Sequence, residues 1–408
     1  MLLLKQDNFI VTALLSFVVF TMPLGLINNI NPIAIVLLTG YSIFLLIKER
    51  NVPFVKIELQ VVPLIYFFFL LITLIYSENL IESIKQLEKN LPFLLFPLLF
   101  FILNKHINKQ TTQKVIFSFV LGNVVALMVC LFYSVFVFYF ESYTDPLLKG
   151  SFYFSDVIDL HPTYFSMYLI LCIAFIRNYI LENKVDLKLS KKLSLIVLIL
   201  FISFSIFHLK SRSGVFTLIL VGIILIKMNF FNGYFKIYNK VFLLLIISLV
   251  AGIIFLSING PIYDYSHKYF KRDINTAIDD RLRNWKASLD AIPESPFFGS
   301  GLFDAAKVRD KHFYINGYDE GIDKNYNSHN QFIESALIGG LFGFSILLVL
   351  LFNLLVLFKE TKNATILCFF IILFMVMITE SILVRQHGIV FFSFFYVFFN
   401  TKLNDKQQ

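Results

Sequence analysis

The chain has 408 residues, 58% of them hydrophobic and only 15% charged, with a mean hydropathy of +0.76 and a formal net charge of +8. A soluble domain carries roughly 45–50% apolar and about 25% charged residues, so an ordinary water-soluble enzyme is excluded, along with disordered, collagenous and disulfide-stapled classes. Fifty Phe, and apolar runs recurring down the whole length, describe an all-α polytopic membrane protein, because a helix satisfies its own backbone inside hydrocarbon.

In chain order, Lys5 precedes a first apolar run at 9–26. It is longer than a signal-peptide core and lacks a small-residue cleavage site, so it reads as a retained first span. Runs of spanning length follow at 31–47, 59–76, 91–103, 115–139, 162–180, 193–208, 213–231, 241–258, 331–357, 364–383 and 387–400, about twelve transmembrane helices in all. The fourth and the last are short. Between the third and fourth, Leu80, Ile81, Ile84 and Leu87 recur at helical spacing within Glu78–Asn90, the pattern of an amphipathic helix lying in the membrane interface. The stretch Asn259–Asn330 is the soluble-like portion of the chain. The predicted organisation is therefore transmembrane helices one to nine over 1–258, one large extracytoplasmic loop over 259–330, and helices ten to twelve with a cytoplasmic tail over 331–408.

Orientation follows from the loops. With the N-terminus inside, cytoplasmic segments hold 19 Lys and Arg, against six in the short outer loops, which predicts an N-in, C-in topology. The inside total of 19 basic and seven acidic residues gives +12, and the outside total of 16 and 20 gives −4. The basic excess is a topology signal and not a nucleic-acid footprint. Cys130, Cys172 and Cys368 all fall inside apolar runs, without ligand spacing or a disulfide pattern, and read as small buried hydrophobes. No internal repeat is visible, and the large loop falls after the ninth run, which speaks against a transporter built from paired halves.

Three outer features carry candidate chemistry. Lys210-Ser211-Arg212-Ser213-Gly214 is squeezed between two spans; an arginine at a bundle mouth faces a cavity or polar partner, or else snorkels as an interfacial anchor. Asp280-Arg281-Leu282-Arg283-Asn284-Trp285 precedes Pro293-Glu294-Ser295-Pro296-Phe297-Phe298-Gly299-Ser300-Gly301. On a helix Arg281 and Trp285 share a face, with Ser288 nearby, and the Pro and Gly residues then turn the chain back to the membrane surface. A guanidinium suits phosphate through its bidentate fork; the plainer reading is a solvated loop helix whose arginines pair with Asp279 and Asp280. Asn327-Ser328-His329-Asn330-Gln331 opens the tenth run, followed by Glu334 and the glycines at 339, 340 and 343. A histidine there suits a general base toward a hydroxyl, or is an interfacial histidine without a catalytic duty. The glycines read as allowing close helix packing, and no metal site is suggested, Asp279-Asp280 being isolated.

Ser-Arg-Ser-Gly at a span start, Arg-Leu-x-x-Trp with a Pro…Gly-x-Gly tail, and Ser-His-Asn opening the next span together resemble the O-antigen ligase-related family over roughly residues 200–350. The resemblance implies a GT-C-like fold in the bacterial inner membrane with its large loop in the periplasm. It also implies glycan transfer from undecaprenyl pyrophosphate to an acceptor hydroxyl of lipid A-core, metal-independent, without a cofactor, and inverting. Arg212 and Arg281 would hold the pyrophosphate and His329 would be the base. Arg283, two residues off the motif position, is a second choice for substrate binding, alongside Trp285, Ser211, Ser328 and Asn330. His161, in His161-Pro162-Thr163-Tyr164 at the start of the sixth span, looks like a lining position. A polymerase, whose acceptor is another carrier-bound glycan, shares this architecture. A transporter would need ionisable residues deep in several spans, and these spans are nearly free of charge; a structural export component remains as a further class.

Overall fold

The computed structural model describes residues 2–25, 29–49, 61–140, 154–183, 185–230 and 274–401. The predicted ninth span at 241–258, the first part of the large loop, and Arg50, Lys56, Lys149, Lys184, Lys236, Lys240, Lys402 and Lys406 lie outside these residues. Among the described residues the chain is all-helical, without a strand. Its α-helices are α1 (Leu2–Thr21), α2 (Ile30–Glu49), α3 (Val61–Thr73), α4 (Leu80–Lys89), α5 (Pro92–Leu103), α6 (Lys109–Phe140), α7 (Pro162–Glu182), α8 (Leu189–His208) and α9 (Arg212–Phe230). They continue with α10 (Ile274–Ala291), α11 (Asp304–Ile315), α12 (Asp319–Asp323), α13 (Gln331–Thr361), α14 (Ala364–Thr379) and α15 (Gln386–Thr401).

By length and composition, five of these helices are able to cross a membrane: α2, α6, α7, α8 and α13. A sixth is counted if α4 and the segment from Pro92 to His106, which meet at a bend of 42°, form one span. The other predicted runs within the described residues are also helical. The protein is thus an integral membrane protein. The predicted amphipathic helix is α4, capped by Asn79, whose Oδ1 accepts from Glu82 N at 3.2 Å. Leu80, Ile81 and Ile84 are exposed on it while Leu87 is buried.

The core forms around α7 and α15, both enclosed by other helices: α7 by α6, α8, α9 and α14, and α15 by α5 and the turn before it. The large Phe count is placed here. Phe394 meets Phe96 and Phe100 edge-on at 5.2 and 5.3 Å, Phe395 meets Phe119 at 4.8 Å, and Phe391 stacks on Tyr168 at 4.8 Å. Hydrocarbon gives helices no hydrophobic drive to associate, so such geometry-specific ring pairs, about 0.5–1.5 kcal/mol each beyond area burial in water, have to fix the packing. The shortness of the last apolar run fits a helix wrapped by protein along its length.

Polar side chains sort to two ends. At one end α1, α2 and the end of α5 are joined by Asp7 to Lys48 at 2.8 Å, by Tyr41 to Asp7 at 2.9 Å, and by Glu49 to Lys105 and His106. At the other end lie the starts of α7, α9 and α13 and the end of α14, covered by α10 and α11.

The glycine run of the tenth predicted span does something other than permit helix packing. Gly340 has φ 57° and ψ −150°, a break inside α13. Across it lies the chain from Pro296 to Gly301: Ser300 N and Gly301 N donate to Leu337 O and Ile338 O, both at 2.9 Å. Leu341 N and Phe342 N donate to Pro296 O and Phe297 O at 2.8 and 3.2 Å. The backbone groups freed by the break are therefore satisfied by the returning loop, as a nonpolar surrounding requires. A Cβ on Gly340 would lie 2.4 Å from the Phe297 carbonyl carbon and one on Gly299 would lie 2.3 Å from Ile338 O. Gly340→Ala is expected to lower thermal stability in detergent by at least the ~1–3 kcal/mol of a forced backbone conformation. Gly40→Ala, in α2 with open space around it, is expected to be neutral or to stabilise by up to about 1 kcal/mol; equal melting shifts for the two would refute this account of the break.

Candidate active site

The site is built from the four helix ends and α10. Asn330 caps α13, its Oδ1 accepting from Phe332 N at 2.9 Å and Ile333 N at 3.2 Å. The residue before it, His329, is held at φ 46°, a left-handed conformation unusual for a non-glycine residue. Its neighbours impose this: His329 N donates to Asn327 Oδ1 at 2.9 Å and Asn330 N to Ser381 Oγ at 3.2 Å. From α10, Asn284 Nδ2 donates to Asn327 O at 2.8 Å, and Ser288 Oγ in turn bonds Asn284 Oδ1 at 3.2 Å.

So held, the His329 ring lies edge-on to Tyr326 at 5.3 Å and brings Nδ1 to 3.0 Å from Glu380 Oε2. The other carboxylate oxygen faces Arg281 Nη2 at 3.6 Å. Glu380, the residue following α14, thereby joins the histidine that opens α13 to the arginine on α10. The Glu380 side chain is 11% exposed and that of Arg281 47%, so the carboxylate is an enclosed anchor while the guanidinium keeps an open side for another anion. Burial disfavours charge on the Glu380 carboxylate, and the hydrogen bond from His329 and the Arg281 guanidinium offset that cost. With the carboxylate accepting from Nδ1–H, the network assigns neutral His329 a free lone pair on Nε2.

His161 caps α7 by accepting from Thr163 N at Nδ1, 3.3 Å, which assigns the Nε2–H tautomer. Burial lowers its basicity more than the nearby Glu380 carboxylate raises it. In this tautomer the imidazole offers its Nε2–H to the site. Thr163 Oγ1 also lies 3.4 Å from Ser211 Oγ, which sets the start of α9 beside that of α7. Ser211 Oγ accepts from Gly214 N at 3.1 Å, capping α9. Arg212, the first residue of α9, is exposed and makes no ion pair among the described residues. The structure thus joins His329 to Arg281 through Glu380, brings His161 within electrostatic reach of both His329 and Glu380, and places Arg212 next to Ser211, whose hydroxyl lies beside Thr163 at the start of α7.

Other predicted residues have different surroundings. Arg283 is exposed. Trp285 does share the Arg281 side of α10, but the face that docks carries Asn284, Ala287, Ser288 and Ala291; the indole N–H is buried without a hydrogen-bond partner among the described residues. Ser328 is fully buried: its N–H donates to Glu334 Oε2 at 2.9 Å and its hydroxyl bonds the same oxygen. The Asn330 side chain is engaged in its cap. Among the described residues no group of three or more His, Cys, Asp or Glu side chains is arranged to hold a metal ion.

Sequence reasoning missed Glu380, Ser381, Asn284 and the buried pair of Arg309 with Glu334. Arg309 Nη1 lies 3.1 and 3.3 Å from the two Glu334 oxygens, and both side chains are almost wholly buried. The pair ties α11 to α13 directly beneath Ser328. An acid ending an apolar run is costly unless paired, and that was the available signal for Glu380.

With this geometry in place, two comparisons apply. The fold and the polar cluster at its helix ends define an integral membrane protein with a site at one face. Residues 196–348 match the family model described as O-antigen ligase, so that segment is similar to the O-antigen ligase family. The match supports a function of the O-antigen ligase or polymerase type in general. It covers Arg212, Arg281 and His329 and ends before Glu380. No curated protein matches the chain.

Arg309→Met is expected to destabilise the protein by about 3–5 kcal/mol, because it leaves the Glu334 carboxylate buried and unpaired. Limited proteolysis is expected to cut α11 and its flanks faster in this variant, and Arg309→Met with Glu334→Met to regain most of the loss. An unchanged digestion pattern in the single variant would remove the pair from this role.

Proposed function

We propose that the chain is a glycosyltransferase that moves a glycan from undecaprenyl pyrophosphate to an acceptor hydroxyl at the periplasmic face of the inner membrane, in the manner of an O-antigen ligase. The observation that carries the reading is the His329–Glu380–Arg281 array, in which one buried carboxylate faces a histidine and a cation. In this reading His329 Nε2 takes the proton from the acceptor hydroxyl while Glu380 orients the ring and stabilises the imidazolium that forms. The acceptor oxygen attacks the anomeric carbon, the bond to the pyrophosphate breaks with inversion, and the electron pair leaves on the phosphate oxygen. Arg281 and Arg212 supply charge to that leaving group, which counts for more in a partly desolvated site. His161 adds an N–H donor. The GT-C-like arrangement of twelve spans, both termini in the cytoplasm and 259–330 as the periplasmic segment belong to the same proposal; the grouping of Lys48 and Lys105 at the end opposite the site supports it.

Deletion of the gene is expected to leave lipid A-core without polymer while long carrier-linked glycan accumulates. A single repeat unit on the core would assign a polymerase instead, and an unchanged surface glycan would exclude both. In membranes with matched protein levels, His329→Ala is expected to abolish transfer, and Arg212→Ala to raise the KM for the lipid-linked donor as well as lower kcat. Glu380→Gln is expected to lower kcat by about 10²-fold with little change in KM. A Glu380→Gln enzyme with full kcat would remove the carboxylate from the mechanism.

A further inference from the structure

A second polar concavity lies beside the turn that leads into α7. It is a cavity of about 180 Å³ walled by the end of α1, the start of α2, the turn before α7 and the start of α15. Asn29, Asn31, Asp159, Gln386 and His387 line it. Asn31 is used structurally, its amide donating to Val18 O at 2.8 Å and Thr21 Oγ1 at 3.0 Å. The side chains of Asn29, Asp159, Gln386 and His387 make no hydrogen bond among the described residues. Asn29, Asp159 and Gln386 are exposed and His387 is half-buried, so four polar groups from three separate chain segments converge on one open space, with the Asp159 carboxylate acting electrostatically on His387.

The backbone is shaped to hold them there. Asn29 and Asp159 sit at φ 71° and 48°. Gly25 admits the Asp159 turn, for a Cβ on it would lie 2.4 Å from Ile158 O. Position relates the cavity to the site: Asp159 is two residues before His161. Arg385, immediately before Gln386, acts electrostatically on His161 and Tyr164, as Glu380 does.

The chemistry of the lining selects the ligand. A phosphate would meet the Asp159 carboxylate with no lysine or arginine in the wall to offset it. An acyl chain would leave the amides and the carboxylate without partners, at a cost of about 1–3 kcal/mol for each group. Sugar hydroxyls both donate and accept, and so match a mixture of amides, a carboxylate and an imidazole. The volume suits one ring and not a chain. We propose that this cavity is a saccharide subsite that holds one neutral sugar residue of the glycan while the transfer proceeds at His329; the proposal rests on the glycosyltransferase reading for its role but not for its binding chemistry.

Saturation-transfer NMR on the full chain in lipid nanodiscs, with methyl glycosides of glucose, galactose, N-acetylglucosamine and rhamnose as probes, tests it. At least one probe is expected to show transfer to its ring protons. Its Kd is expected to rise by about tenfold, close to 1.4 kcal/mol, in the double variant Asn29→Gly with Asp159→Gly. Both positions have a positive φ that glycine adopts freely, so these changes remove side chains without forcing the backbone. His329→Ala is expected to leave probe binding as it is. Binding by none of the probes, or binding unaffected by the double variant, overturns the subsite. Probe binding by a protein that transfers no glycan supports the subsite and removes the transferase reading. In the transfer assay the double variant is expected to raise KM with kcat held within about twofold; a loss in kcat alone overturns the assignment.

Discussion

The end of the bundle that carries the site depends on one buried carboxylate. Glu334 sits in the first turn of α13 and accepts from Arg309 on α11 and from both the backbone and hydroxyl of Ser328. An isolated carboxylate there would be prohibitively desolvated; with three donors it becomes the point at which α11 and the loop before α13 are joined to α13. His329 follows Ser328 directly, so its left-handed backbone is stabilised by a bond made one residue earlier. Asn284 and Ser381 clamp the same loop from α10 and from the turn after α14. The position of the histidine is thus set by contacts that its own ring does not make.

A division of labour follows between two glutamates only 46 positions apart. Glu334 has all its partners within the protein and is sealed from solvent, which suits a structural fixture. Glu380 is also enclosed, yet each of its oxygens faces a side chain that retains exposure, one a histidine and one an arginine. Charge can therefore be passed or compensated at Glu380 without taking the helix ends apart. In the proposed reaction, the separation keeps the groups that would handle reacting atoms from bearing the load of the fold.

How much of this was legible from sequence depends on the kind of signal. Long apolar runs mark helices because hydrocarbon tolerates little else, and the segments expected at 31–47, 115–139, 162–180 and 331–357 are helical. The amphipathic spacing of Leu80, Ile81, Ile84 and Leu87 likewise became α4. His329 is marked as a titratable group beside an apolar run, and Arg281 by its place in Arg-Leu-x-x-Trp. Glu380 is locally no more than an acid at the end of an apolar run, because its meaning lies in two residues 51 and 99 positions away, and no local pattern encodes such a meeting. Arg309 and Glu334 were hidden for the same reason. The break at Gly340 was obscured by chemistry of another kind: a glycine among glycines signals close approach, but not whether a helix face or a backbone strand approaches.

That break changes what counts as a part. The four hydrogen bonds between Pro296–Gly301 and the two pieces of α13 work like a splint across a fracture, each piece completing its bonding only through the loop. A boundary drawn at residue 330, natural from hydropathy, would cut through a single hydrogen-bonded unit. The segment before α13 is consequently not a module that could be trimmed or exchanged at that boundary. Any transplant has to carry the first part of α13 along with the loop, or leave peptide groups without partners.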